Sequence, residues 1–274
     1  MKETGKISPA DEAAFKRYLR AWGTAEVRKK YGLGGDKLIE GRTVIPACDV
    51  AFEDFEAIVE ATADNPRIGG YKIPAHAGRK GWEAWVATAI KHTNKPLIYD
   101  HQKAGTDIPD TAGQFMKDLK GAGFDAVILF PQSGPRTQVA WTGEAVQQGL
   151  TVFVGGEMTH PKFMRSAGGY IADESPDEIY VRAARQGVNH FIVPGNKPDR
   201  IKHYRELIMA EGIEDPVFAS PGLVAQGGSI SEATKFAGDN WHGIVGRAIT
   251  DKLVEKNPVE AIRAAAKELT SQLY

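Results

Sequence analysis

Residues 96–131, PLIYDHQKAGTDIPDTAGQFMKDLKGAGFDAVILFP, hold the pattern on which the fold turns. PLIYDHQ (96–102) and AVILFP (126–131) are short apolar runs that read as strands. Between them AGQFMKDLKGAG (112–123) repeats its apolar residues at intervals of three and four, the spacing of one helix face. Pro109 stands where that helix should begin, and Gly123 comes just before the second strand. Strand, helix and strand in this order form one β-α unit and its successor.

The unit recurs on both sides. TVIPACDV (43–50), IGGYKIP (68–74), LTVFVGGEM (150–158), HFIVPG (190–195), PVFASPGLV (216–224) and HGIVGRAI (242–249) bring the apolar runs to eight. FEDFEAIVEATA, GWEAWVATAIKH, WTGEAVQQGL, PDEIYVRAARQG, PDRIKHYRELIMAEG and SISEATKFAG supply helical spacing between them. Eight such units predict an α/β protein, a (β/α)8 TIM barrel over residues 41–274, while residues 1–40 read as an N-terminal helical extension. A doubly wound open sheet uses the same alternation. The count of eight, and the gathering of charge at the C-terminal ends of the strands, favour the barrel.

With 42% hydrophobic and 25% charged residues among 274, the chain has the composition of a folded protein with a sizeable core, which excludes disordered and fibrous classes. Lys+Arg number 34 against 35 Asp+Glu, so the net charge of -1 argues against nucleic acid or an anionic membrane as the main partner. A small anion site is still compatible with it. The one cysteine, Cys48, permits neither an intrachain disulfide nor a multi-cysteine zinc site and fits a reducing, cytoplasmic setting. The opening MKETGKISPADEAAFKRYLR lacks the apolar core of an export signal, and no later stretch has the uninterrupted apolar length of a membrane span.

A barrel draws its catalytic groups from the C-terminal ends of its strands. There the chain offers Asp49, Lys72, Asp100, Lys103 and Asp107, acids and bases in alternation after three successive strands. Each alone reads as a solvated loop charge. Converging on one mouth, they satisfy one another only as a network of carboxylates and ammonium groups, which can hold a lysine protonated and aimed at a reacting carbon. Strand five ends in Glu157-Met158-Thr159-His160. Gln226-Gly227-Gly228-Ser229 after strand seven and Gly246-Arg247 after strand eight combine backbone donors with a guanidinium fork, where barrels commonly bind phosphate. His101 and His160 have no metal-type spacing and read as structural or substrate-lining; Cys48 should face the helix layer; Trp82 and Trp85 read as core.

In this order VIPACDV, YKIP, DHQKAGTDIPDT, GGEMTHP, SPGLVAQGG and IVGRAI resemble the orotidine 5′-phosphate decarboxylases from about residue 43 onward. The resemblance implies cofactor-independent conversion of orotidine 5′-phosphate to uridine 5′-phosphate and CO2 in pyrimidine biosynthesis, with no metal. On it, Asp49 and Lys72 would contact the ribose hydroxyls, Asp100 would sit beside the substrate carboxylate, and Lys103 would donate the proton to C6. Asp107 and Thr111 would reach into the neighbouring subunit's site, making a homodimer part of the active site. Thr159 stands where the family usually has a serine reading the pyrimidine. Gln226, Gly246 and Arg247 would grip the 5′-phosphate, and the loop from Pro221 would close over the ligand.

The family spacing Asp-x-Lys-x-x-Asp is two residues longer here, Asp100-x-x-Lys103-x-x-x-Asp107. Alternation puts Asp100 on the face of Gln102, so a bulge or an early exit from the strand is required, with Gly105 absorbing the second extra residue. Two other readings share the scaffold. A magnesium-dependent sugar-phosphate decarboxylase or aldolase needs a further carboxylate at the end of strand two, where Lys72 repels a divalent ion. A non-catalytic phosphosugar-binding barrel has no need of both lysines and all three aspartates. Residues 1–40 are too few to form a fused phosphoribosyltransferase, so one activity is expected.

Overall fold

The computed structural model describes Leu38 and residues 40–79, 81–101 and 104–274. Most of the expected helical extension over 1–40, together with Gln102 and Lys103, therefore lies outside the described residues. Eight strands and the helices between them follow in strict alternation: β1 (Arg42–Pro46), α1 (Phe52–Thr62), β2 (Tyr71–Pro74), α2 (Trp82–Ile90), β3 (Leu97–Asp100), α3 (Ala112–Gly121), β4 (Ala126–Leu129), α4 (Pro135–Gln147), β5 (Thr151–Gly155), α5 (Ser175–Arg185), β6 (His190–Ile192), α6 (Pro198–Ala210), β7 (Val217–Ser220), α7 (Ile230–Ala237) and β8 (Trp241–Val245). A short α8 (Arg247–Thr250) and a longer α9 (Pro258–Ser271) end the chain, α9 packing on α1 and β1.

All ladders are parallel, in the order β1-β8-β7-β6-β5-β4-β3-β2. The seam between β1 and β2 is held by the single bridges Val44↔Ile68 and Ala47↔Lys72, with Cys48 N donating to Lys72 O at 2.9 Å. These bonds close the ring, which an open doubly wound sheet does not do.

Strand parity explains why the apolar runs look continuous. Ile45, Ile98, Ile128, Phe153, Ile192, Ala219 and Ile244 face inward and fill the barrel, joined by Leu38. Their neighbours Val44, Tyr99, Val127, Val154, Phe191, Phe218 and Val245 face outward and meet Phe55, Trp85, Met116, Trp141, Tyr180, Tyr204 and Ile262 of the helices. Both faces of each strand are thus covered, and each large side chain fully buried contributes about 1.5–3 kcal/mol. Cys48 and Trp85 belong to this outer layer, with Trp82 packed against it, as the sequence predicts.

Three elements differ from expectation. The helix expected over WTGEAVQQGL starts six residues earlier, at Pro135, whose lack of an N–H costs nothing at a first helical position. The run 242–249 stops as a strand at Val245, beyond which neither β1 nor β7 offers a partner, and the chain turns at Gly246 into α8. Strand three ends at Asp100, so the early exit occurs. Gly105, at φ +83°, then takes the left-handed turn that a side chain would resist. No helix among the described residues is long and apolar enough to cross a membrane.

Candidate active site

Lys72 on β2 and Asp100 on β3 are diagonal neighbours on the inner face, since Lys72 pairs with Ile98 and Pro74 with Asp100. Lys72 Nζ lies 2.7 Å from Asp100 Oδ2 and 3.1 Å from Asp49 Oδ1. The first two side chains are 9% and 8% exposed, whereas Asp49, beyond the end of β1, is 57% exposed. Burial alone would lower the lysine's pKa; the charges and hydrogen bonds of Asp100 and Asp49 outweigh it and raise it above the ordinary lysine value. Lys72 is therefore a fixed cation.

Among the described residues its cluster is not neutral: two carboxylates face one ammonium, and Asp100 Oδ1 is buried with no hydrogen-bond partner. A buried carboxylate oxygen left open in this way marks the place of a further cation or a proton-bearing ligand. Lys103, the residue expected to fill that role, is outside the described residues.

Above the cluster opens a cavity of about 260 Å3. Of the expected site residues, Asp49, Lys72, Asp100, Thr159, Pro221, Gln226, Gly246 and Arg247 all line it. Arg247 stands at the start of α8 because β8 gives out just before it, and its Nη2 donates to Ala225 O at 3.2 Å across the β7 loop. In that loop Val224 has φ 57°, a left-handed conformation that β-branched residues rarely adopt. Guanidinium, loop amides and Gln226 thus gather after β7 and β8, while Lys72 and Asp100 stand on β2 and β3.

Asp107 and Thr111 do not line this cavity. Asp107 is exposed, its Oδ1 accepting from Ile108 N at 2.7 Å, and Thr111 closes the 3-10 turn Pro109–Thr111 just before α3. Ile108 beside them is 59% exposed. His101 meets Tyr99 edge to face, with Tyr99 Oη 3.3 Å from its Nδ1, and His160 packs on Phe163. Among the described residues no set of three or more His, Cys, Asp or Glu is grouped to hold a metal. Burial pushes the Cys48 thiol far above its usual range, which leaves it inert as a nucleophile.

Several lining residues have no role expected from the sequence. Ile128, Ile192 and Ile244, of inward strand parity, form an apolar wall with Phe130 and Met158 beyond the ends of β4 and β5. Thr250 comes from α8. Glu157, two residues beyond β5, is 4% exposed and binds Lys197 Nζ at 2.8 Å through Oε1, and Arg200 Nε at 2.8 Å and the Tyr204 hydroxyl through Oε2. Burial would raise its pKa; the donors Lys197, Tyr204 and Arg200 outweigh that and hold it below the ordinary carboxylate value.

No protein-family model matches the chain. It is 33% identical over 178 residues to the orotidine 5′-phosphate decarboxylase of Methanosarcina mazei, covering 65% of this chain and 74% of that protein. With the enzyme of the same name from Methanococcus maripaludis the identity is 30% over 230 residues, 81% of this chain and 95% of that one. Among solved structures, orotidine 5′-phosphate decarboxylase from Pyrococcus horikoshii superposes with a TM-score of 0.66 at 27% identity, over 84% of this chain and 99% of that one. The enzyme from Methanocaldococcus jannaschii, complexed with the inhibitor BMP, gives a TM-score of 0.70 at 24% identity, over 85% and 99%, a likeness of fold. Closed barrel, charged rim and identity extending over nearly the full length of a relative agree: this chain belongs to the orotidine 5′-phosphate decarboxylase family.

Proposed function

We propose that this protein converts orotidine 5′-phosphate to uridine 5′-phosphate and CO2 without a metal or organic cofactor. The observation that carries the reading is the buried Lys72–Asp100 pair, with one carboxylate oxygen open among the described residues, in a cavity that Arg247 also lines. Breaking the C6–carboxylate bond leaves the electron pair in an sp² orbital that no ring carbonyl can fully delocalise. Fixed charge must stabilise it. In this scheme Lys103 partners the open oxygen of Asp100 and presents its ammonium to C6, then passes a proton to the carbanion and recovers one from solvent.

Asp100 keeps that lysine charged and repels the departing carboxylate. Lys72 and Asp49 hold the ribose, Thr159 reads the pyrimidine, and Gln226, Gly246 and Arg247 take the 5′-phosphate as the loop from Pro221 closes. Phosphate binding far from C6 then supplies energy for closure. The positive charge of Lys72 also disfavours the magnesium-dependent alternative, because it sits where a divalent ion would need a carboxylate. Asp107 and Thr111, which do not line their own chain's cavity, are assigned to the site of a second copy in a homodimer. A cytoplasmic location belongs to the same reading and rests on the single, buried thiol.

Ultraviolet absorbance tests this directly. Mixed with the protein, orotidine 5′-phosphate should lose its orotate-type absorption at a rate unchanged by a chelator. Lys103→Ala should bind the nucleotide but turn over at least about 10³-fold more slowly, having lost both an electrostatic and a proton-transfer contribution. Tight binding by the wild type with a spectrum that never changes would sink the reading.

A further inference from the structure

Glu157 is a charged group on the cavity wall to which the decarboxylation scheme gives no task. It is poorly suited to proton transfer, because three donors already converge on its two oxygens: Lys197, Arg200 and Tyr204. Its own backbone N–H donates to the Tyr180 hydroxyl at 3.3 Å, and that hydroxyl donates to Ile192 O at 2.6 Å on β6. The side chain is thus tied to the start of α6, while its main chain is tied to α5 and β6.

The same fastening continues into the residues beside it. Lys197 Nζ, besides binding Glu157, donates to Met158 O at 3.0 Å, and Asn196 Nδ2 donates to Thr159 O at 3.1 Å. The three residues after Gly156 are therefore held by two consecutive residues of the loop after β6. Thr159 in turn presses on the next strand end: a Cβ placed on Gly222 would lie 2.7 Å from Thr159 Cγ2 and 3.2 Å from Asn196 Oδ1. Only a residue without a side chain fits there.

We propose that Glu157 is a positioning residue for base recognition, clamping the loop after β6 so that Thr159 stands at a fixed place on the cavity wall. The inference rests on the reading of this cavity as a pyrimidine nucleotide site with Thr159 on the base. Arg247 and Gly246 hang from β8, and Arg247 meets the β7 loop at Ala225 O; among the described residues no hydrogen bond of Glu157, Lys197 or Asn196 runs to either, so the clamp should act on the base more than on the phosphate end. Lys197 and Arg200 are 30% and 33% exposed, so a neutral isostere at 157 leaves their charges within reach of solvent and the fold intact.

Two ligands separate the ends of the cavity: uridine 5′-phosphate, which carries the base, and ribose 5-phosphate, which does not. Glu157→Gln should weaken uridine 5′-phosphate about tenfold and raise KM for orotidine 5′-phosphate by a similar factor. It should change kcat and the affinity for ribose 5-phosphate by less than about twofold. In a Thr159→Ala background the same substitution should cost less than about twofold, since the two residues act through one contact. Lys197→Met, which leaves Arg200 and Tyr204 on the carboxylate, should reproduce the split and serves if Glu157→Gln fails to fold. Equal weakening of both ligands, or an undiminished tenfold effect in the Thr159→Ala background, would overturn the proposal and reduce Glu157 to a structural acid. A wild-type chain that does not bind uridine 5′-phosphate would instead bring down the functional reading, and the clamp with it.

Discussion

Lys72 shows how a single residue links fold and site. It is the second residue of β2, its backbone oxygen closes the barrel seam, and its ammonium lies between two carboxylates. Because its pKa is raised on folding, the stabilisation from its charge is fully present below the ordinary lysine value and is lost only as pH climbs through the raised folded value. Replacing it strands Asp100 as a buried carboxylate, a change that costs about 3–5 kcal/mol. Lys72→Met should therefore lower the urea midpoint strongly and to a constant degree between about pH 6 and pH 9, with the gap from wild type narrowing only in strong alkali. A gap that closed below about pH 9 would mean that the lysine is not held charged by its partners.

At the level of elements, glycine on β5 sets the shape of the cavity. A Cβ on Gly155 would lie 2.2 Å from Phe130 Cζ, so the Phe130 ring occupies the space that a side chain on β5 would need, and that ring lines the site. Gly155→Ala should cost about 1–3 kcal/mol by overpacking and push Phe130 into the cavity, raising KM more than it lowers kcat; denaturant melts and steady-state kinetics read the two effects. Unchanged stability and KM would show that the ring can move aside. The order of the elements was legible because each strand is buried on both faces and each helix on one. The ends of the strands were not. In TVIPACDV, LTVFVGGEM and HGIVGRAI the run continues past the last strand residue, Pro46, Gly155 or Val245, into residues such as Asp49, Glu157 and Gly246 that line the cavity outside any ladder. The eight expected site residues that line the cavity, two on strands and six beyond strand ends, could be read from strand-end position and motif. Glu157 could be seen but not interpreted, because its partners lie 40 to 47 residues away in sequence and no local spacing announces them.

At the scale of the whole molecule, the barrel's rim divides its charges between two directions. Asp49, Lys72 and Asp100 turn into the chain's own cavity, while Asp107 sits in the solvent beside the exposed Ile108 on a turn whose backbone is pinned by Thr137 Oγ1 to Asp107 O at 3.0 Å and Trp141 Nε1 to Ile108 O at 3.2 Å. A rigid turn that presents an acid and an apolar side chain outward suits an isologous contact, in which a two-fold axis carries each Asp107 to the other chain's site. Complementation separates that arrangement from a self-sufficient monomer. Lys103→Ala and Asp107→Ala should each be nearly inactive alone. When the two are unfolded together and refolded, about half of the dimers are hybrids, and each hybrid has one site with both residues intact and one with neither. The mixture should therefore regain about a quarter of wild-type activity, with sedimentation showing dimers throughout. If Asp107 serves its own chain's site instead, every site in the mixture lacks one of the two residues, and no activity returns.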